Sequence, residues 1–398
     1  MDILFFGGAF DPPHTGHSHI LNRALNYKTF DKIIIMPTGT PGHKSGCKAP
    51  FPIRKLMAQK AFDYPGLNVE FSDYEGLRDE KSYSYITVEH LKEQYPTAKI
   101  WFLIGADSAI NMKSWVNWQR LASQTAFIIL DRGRQDSTAL KNAVEEIKNY
   151  SPDSIVLKAR PVEQSSTQIR RLAQKGADIS ERVCPQVQDI IIKAALYDED
   201  YYKRNISTAR FLLPLMMDEK RQRHTLNVRR LAVKLALKHE ADLDKTQLCA
   251  LLHDVMKQAP RREILRRAGA FLGRETARKK PPEVLHGFAA AHFAQREMSI
   301  DDDETLWALR SHTCARPNMS DVEKILYLAD MLSAERKFDG KQRLLDAAYD
   351  NLDTAMEKAL ESSLAWLKEK NRQTDPDSLL ALDYFKKLNK DGGSIDGK

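Results

Sequence analysis

Cysteine is scarce. The 398 residues contain four, Cys47, Cys184, Cys249 and Cys314, with no Cys-x-x-Cys pair among them. Such wide spacing argues against a disulfide framework and a cysteine zinc site, and for a reducing compartment. Long apolar runs are also missing. No stretch is long and apolar enough to span a bilayer, and the chain enters a strand pattern without the cationic and apolar regions of a leader. A cytoplasmic protein with no membrane partner is expected. Acidic residues are outnumbered, leaving a net charge of +7. Lys and Arg are spread along the chain apart from short clusters such as Arg261-Arg262 and Lys279-Lys280. That pattern favours phosphorylated small molecules as partners over nucleic acid. The length suggests two or three domains and leaves a homo-oligomer open.

What is there begins with Gly7-Gly8-Ala9-Phe10-Asp11-Pro12-Pro13-His14-Thr15-Gly16-His17. The apolar run Ile3-Leu4-Phe5-Phe6 before it reads as a buried strand. The two glycines leave backbone N–H groups uncovered, so a phosphate can approach the main chain. Pro12-Pro13 bars a helix until it is passed. His14 and His17 then share one face of a starting helix, giving an anion site with two charge-stabilising donors.

Up to about Tyr197 apolar runs alternate with amphipathic stretches. Ile33–Met36, Lys99–Ile104, Ala126–Leu130 and Ser154–Leu157 are further strands, with helical segments such as Arg54–Phe62 and Thr87–Gln94 between them. Alternation of this kind predicts a parallel α/β sheet with ligands at the carboxyl ends of its strands. The loop Pro37–Lys44 carries a lysine at one such end, suited to a phosphate. Ser82–Thr87 precedes a helix, and its hydroxyls would cap that helix in the plainest reading. Asp107 closes the Lys99–Ile104 strand, where it can hold a ribose hydroxyl or orient a phosphate, and Trp115 offers a flat face to an electron-poor ring. In Gln164–Arg170 the hydroxyls of Ser166 and Thr167 and the Arg170 guanidinium meet at a helix start, which suits a polyphosphate.

The β pattern stops at the seam Tyr197-Asp198-Glu199-Asp200, and the rest reads helical. We expect domains at 1–197 and 211–390, a linker at 198–210 and a disordered tail at 391–398. His224, His253, Asp254, His286, His312 and Asp330 each sit beside apolar neighbours on successive helical stretches. Together they are a donor set for divalent metals.

The His14-Thr15-Gly16-His17 string resembles the nucleotidylyltransferase superfamily. Gly7-Gly8-Ala9-Phe10-Asp11-Pro12-Pro13-His14 and Ser165-Ser166-Thr167-Gln168-Ile169-Arg170 are similar to the two signatures of nicotinate-nucleotide adenylyltransferases. This chain departs from that family at Ala9, Ser84 and Ile86. The resemblance implies a Rossmann-like fold and transfer of AMP from ATP to nicotinate mononucleotide, with Mg²⁺ bridging the phosphates. Gly7, Gly8, Phe10, His14, His17, Ser166, Thr167 and Arg170 would bind ATP. His43, Lys44, Ser84, Asp107 and Trp115 would bind nicotinate mononucleotide, and His14 and His17 would be catalytic.

The His…His-Asp…Asp pattern resembles the HD superfamily of metal-dependent phosphohydrolases. His286-Gly287, His312-Thr313 and Arg316–Ser320 narrow it to the symmetrical bis(5′-nucleosyl)-tetraphosphatases, with departures at Cys314-Ala315 and Ser333. That resemblance implies an all-α domain that splits diadenosine tetraphosphate into two ADP with a metal-generated hydroxide. Six ligands, His224, His253, Asp254, His286, His312 and Asp330, would hold two transition metals, Fe or Mn, with Asp254 catalytic. By its position soon after His253-Asp254, Lys257 is placed either to meet phosphate or at a solvated helix end. A nucleotide-sensing module, or a hydrolase of another nucleotide, is the alternative.

Overall fold

The computed structural model describes residues 1–41, 47–78, 80–133, 136–159 and 164–392. The chain divides into two compact units, Met1–Glu199 and Asp200–Lys398.

The first unit is built on six strands: β1 Asp2–Gly8, β2 Lys32–Pro37, β3 Val69–Phe71, β4 Lys99–Gly105, β5 Ala126–Asp131 and β6 Ile155–Lys158. All are parallel, in the order β3-β2-β1-β4-β5-β6. Helices follow the strands, so both sheet faces are covered and the central strands read as unbroken apolar runs. Ile3, Phe5, Ile34 and Phe102 pack on one face. Leu4, Phe6, Ile33, Ile35 and Leu103 pack on the other. The strand order reverses between β1 and β4, where connecting loops leave in opposite directions and open a crevice at the carboxyl ends. The fourth-to-sixth and first two strands were expected from sequence; β3 was not. It is three residues long, half-buried and at the sheet edge, which leaves too short a pattern to read.

The second unit contains eleven helices and no strand among the described residues. Its core joins Val228, Leu235, Ile325, Leu326, Met356 and Leu360. One expectation is corrected here. Residues 198–210, read as a linker, include most of the helix Tyr201–Met216. Asp200 is its N-cap, accepting from the Lys203 amide, and Thr208, Ala209, Leu212 and Leu213 are buried. The acidic end of the seam is in part a helix cap. His43, Lys44 and the end of the Asp391–Lys398 tail lie outside the described residues. No helix among the described residues is long and apolar enough to cross a membrane.

Candidate active sites

In the first unit the loop after β1 is held from several sides. A β-carbon on Gly7 would come within 3.0 Å of the Phe5 ring, and one on Gly8 within 3.0 Å of the Phe10 ring. Phe10 itself is in the left-handed region at φ 47°, fully buried, with its ring on Phe62 and His17. Burial of that ring offsets a backbone conformation that costs on the order of 1 kcal/mol or more. His14 caps the helix Thr15–Tyr27, and its backbone N–H donates to His17 Nδ1 at 3.2 Å. An accepting Nδ1 puts the neutral ring's proton on Nε2, which is the donor this site can present. The two imidazoles are 3.8 Å apart. His14 Nδ1 is buried without a hydrogen-bond partner among the described residues. Burial, and then the nearby Arg132, lower its pKa to about 4, so at neutral pH His14 is uncharged.

The Ser165–Arg170 segment packs against this loop. Ser165 is the helix cap, the Ser166 hydroxyl donates to the Pro12 carbonyl at 2.9 Å, and Arg170 donates to the Asp11 carbonyl at 2.7 Å and to Thr167 Oγ1 at 3.1 Å. Through these bonds the segment braces the turn that carries His14. Buried Asp11 accepts from the Lys48 and Ala49 amides and from the Tyr197 hydroxyl. Two arginines were missed. Buried Arg54 ties Ala9 to Thr38 through their carbonyls, at 2.9 and 2.8 Å. Arg132, just past β5, faces Gly105 and Asp107: a side chain at Gly105 would run into the Asp107 carboxylate and come within 3.5 Å of Arg132. Neither is marked by a motif, because each acts through a fold contact.

A cavity of about 390 Å³ adjoins Asp107 and is lined by Ser82, Tyr83, Ser84, Asn111 and Trp115. The structure thus brings Ser84, Asp107 and Trp115 to one place. Trp115 is half-buried and packs toward Phe102, 6.3 Å between ring centroids. Tyr83, not a serine, occupies the cap of helix Ser84–Gln94 and makes no side-chain cap bond, so the capping reading of this segment fails.

In the second unit the six residues read from sequence as a donor set converge. Asp254 stands at the centre. Its Oδ2 lies 3.6 Å from His224 Nε2 and 3.5 Å from His253 Nε2, and its Oδ1 lies 3.0 Å from His286 Nε2 and 4.0 Å from His312 Nε2. His224–His253–Asp254 and Asp254–His286–His312 are two groups geometrically able to hold an ion, sharing one carboxylate. Asp330 reaches His224 at 3.0 Å. The rings are aimed by their other nitrogens. His253 Nδ1 meets the Ala250 carbonyl at 2.7 Å and His312 Nδ1 the Leu309 carbonyl at 2.8 Å. His224 Nδ1 meets the carboxylate of Glu335, which also accepts from Asn227 and Ser333. Such partners fix the tautomer and ring plane of a ligating histidine. Gly287 is required: a β-carbon there would sit 2.7 Å from the Leu309 carbonyl and 3.2 Å from the His312 ring.

Electrostatics suit the donor set. Burial pushes His312 down to about 3 and lowers His286, keeping both rings neutral. Burial opposes charge on Asp254 and Glu335 too, but His253 and His286 hold Asp254 well below the carboxylate range, and His224 and Asn227 bring Glu335 to about 2. Basic residues border the cluster: Arg221 at 2.6 Å from Asp254 Oδ2, Lys257 at 3.1 Å from His286 and Arg336 at 3.3 Å from Asp330. Arg221 and Glu335 were not found from sequence. Nothing in a chain with 54 acidic and 61 basic residues marks one of each.

Residues 5–172 match the cytidylyltransferase-like family and residues 221–335 the HD domain. Over 196 residues the chain is 37% identical to a protein of Clostridium tetani named a probable nicotinate-nucleotide adenylyltransferase, covering 48% of this chain and 96% of that one. Over 163 residues it is 33% identical to a symmetrical bis(5′-nucleosyl)-tetraphosphatase of Halalkalibacterium halodurans, covering 41% and 87%. A Mycoplasma genitalium protein named a probable nicotinate-nucleotide adenylyltransferase/Ap4A hydrolase is 27% identical over 336 residues, 84% of this chain and 88% of that one.

Proposed function

Because the chain belongs to the nicotinate-nucleotide adenylyltransferase family through its first unit and to the symmetrical bis(5′-nucleosyl)-tetraphosphatase family through its second, we propose that it is a bifunctional enzyme with both activities. The order of the two halves is that of the Mycoplasma relative.

The first unit transfers AMP from ATP to nicotinate mononucleotide. A phosphate oxygen of the mononucleotide attacks the α-phosphorus, the α–β anhydride bond breaks, and pyrophosphate leaves with deamido-NAD as the other product. No covalent enzyme intermediate is needed, so the residues act by positioning and charge stabilisation. His17, with its proton on Nε2, His14 and the Gly7-Gly8 amides serve the transferring phosphate. Phe10 shapes that loop, and Ser166, Thr167 and Arg170 complete the ATP side. Asp107, Ser84 and Trp115 serve the mononucleotide, Trp115 by stacking on the pyridine ring. His43 and Lys44 are assigned to the same substrate. Mg²⁺ would neutralise phosphate charge when ATP is bound.

The second unit hydrolyses diadenosine tetraphosphate to two ADP. The observation that carries this reading is the Asp254 carboxylate, with one oxygen toward each histidine pair. The family implies a divalent-metal site, and the donors fit it: His224, His253 and Asp330 on one side, His286 and His312 on the other, Asp254 between. Two ions bound there would supply Lewis acidity and a water of lowered pKa. Four imidazoles and two carboxylates suit Fe, with Mn the next choice. Lys257 and Arg221 stand ready to compensate phosphate charge. Placement in the cytoplasm follows the cysteine usage.

The test is one panel on purified protein: ATP with nicotinate mononucleotide, nicotinamide mononucleotide or phosphopantetheine, then diadenosine tetraphosphate with added metals. His17→Ala should lower adenylyl transfer at least ~100-fold, the scale of losing one preorganised donor, and leave the hydrolase untouched. Adenylyl transfer surviving that change nearly intact would refute the placement of the phosphate site.

A further inference from the structure

Beside the histidine cluster lies a cavity of about 500 Å³, within the range of sites that enclose one nucleotide-sized ligand. Its two ends differ in chemistry. At one end Lys257 and Arg336 contact the cluster itself, Lys257 at 3.1 Å from His286 and Arg336 at 3.3 Å from Asp330. Next to His312, Thr313 lines the same wall with a hydroxyl that is buried and has no hydrogen-bond partner among the described residues. A buried orphan hydroxyl is costly unless something arrives to bond it. Farther on, Phe338 and Trp366 line the cavity, and Arg372 sits over the Trp366 indole, 5.3 Å from the ring centroid. Trp366 is 48% exposed, an unusual placement for the largest apolar side chain.

Trp366 and Arg372 belong to the helix Leu352–Glu369 and the turn after it, beyond the HD match at 221–335. Tyr327, within that match, bonds Ser363 of the same helix at 3.4 Å. The carboxyl-terminal helices therefore form a wall of the cavity that the metal-binding motif does not supply. Cations and a free hydroxyl near the cluster, with aromatic rings and a guanidinium beyond, match a molecule with phosphates at one end and a flat base at the other.

Building on the phosphohydrolase reading, we infer that this wall is the nucleoside subsite. One base of the substrate stacks on Trp366 and Arg372, while its phosphates run past Thr313 toward Lys257 and Arg336. Specificity for a nucleotide over a bare phosphate chain then resides in residues 352–378, outside the HD motif.

The test uses the metal-loaded full chain. Binding of ADP and of inorganic diphosphate is measured by calorimetry for wild type, Trp366→Ala and, as a control, Trp307→Ala, a half-exposed tryptophan that does not line the cavity. Removing a base-stacking ring should weaken ADP at least ~10-fold while diphosphate binding and metal content stay level. The Michaelis constant for diadenosine tetraphosphate should rise by the same factor with kcat retained, and Trp307→Ala should change neither. Equal loss of ADP and diphosphate would mean a structural role for Trp366 and would overturn the inference, as would unchanged ADP affinity or a wild type that binds no ADP. If wild type binds ADP in a Trp366-dependent way but does not hydrolyse the dinucleotide, the subsite stands and the hydrolase reading falls.

Discussion

His14→Gln separates the electrostatic state of His14 from its packing. The ring is buried, with Arg132 close by, and its pKa falls from 6.5 to about 4. Between those values the unfolded chain binds a proton at His14 that the native state refuses. Stability therefore rises with pH across this window and is lost as pH drops from 6.5 toward 4, levelling off below. Each pH unit is worth about 1.4 kcal/mol, so His14 alone accounts for roughly 3 kcal/mol of acid destabilisation. Gln keeps a polar end of similar reach but cannot titrate. Urea unfolding of the full chain at several values between pH 4 and 8, followed by fluorescence of the first unit's tryptophans, gives the difference between wild type and variant. That difference should swing toward the variant by roughly 3 kcal/mol on acidification, and Arg132→Gln should remove only the smaller, charge-dependent share. A difference that does not change with pH, or a His14 NMR titration centred near 6.5, would refute the reasoning.

Three other outcomes are expected. Asp254→Ala removes the carboxylate shared by both histidine pairs, so elemental analysis should find the metals gone and phosphohydrolysis abolished, with adenylyl transfer kept; a variant that retains metal and hydrolyses ends the metal-site assignment. Glu335→Ala frees His224 Nδ1 and should weaken metal binding ~10–100-fold in a chelator competition, with Glu335→Gln falling between. Trp115→Ala should raise the Michaelis constant for nicotinate mononucleotide more than that for ATP; equal effects with a lower melting temperature would instead identify a packing role.

The sequence revealed most where function is carried by contiguous residues. The loop from Gly7 to His17 compresses a strand end, a turn and a helix cap into eleven letters, and each has its own backbone rule. The apolar runs of β1, β2, β4 and β5 could be read because both faces of a parallel sheet are buried. The four histidines and two aspartates were legible as a set because each interrupts an apolar helix pattern. What escaped acts at a distance. Arg54 links Ala9 to Thr38, and Glu335 orients His224 across 111 positions. Arg132 is one basic residue among 61 until β5 brings it beside Gly105. Residues 198–210 were read as a linker because the β pattern stops there; the start of the helix Tyr201–Met216 shows only once the cap bond to Asp200 is known.

The histidines around Asp254 show how local helix geometry makes a long-range site. Each α-helix ends with carbonyls that have no amide to accept. His253 follows the helix Leu243–Leu252 and His312 follows Asp303–Ser311, both as the C-terminal cap. Each turns its Nδ1 back to the carbonyl three residues earlier, Ala250 and Leu309. The bond satisfies a helix-end acceptor and, in doing so, fixes the proton on Nδ1 and leaves the Nε2 lone pair available to a ligand. Both Nε2 atoms then face Asp254. Asp254 follows His253 directly, and successive residues in a helical turn point about 100° apart. One helix end therefore delivers an imidazole and a carboxylate to the same cluster from adjacent positions. His286 arrives from a helix start instead, where Gly287 lets its backbone lie against Leu309. The two ends meeting at Gly287 set the distance between His286 and His312, so the geometry of that pair depends on a residue with no side chain.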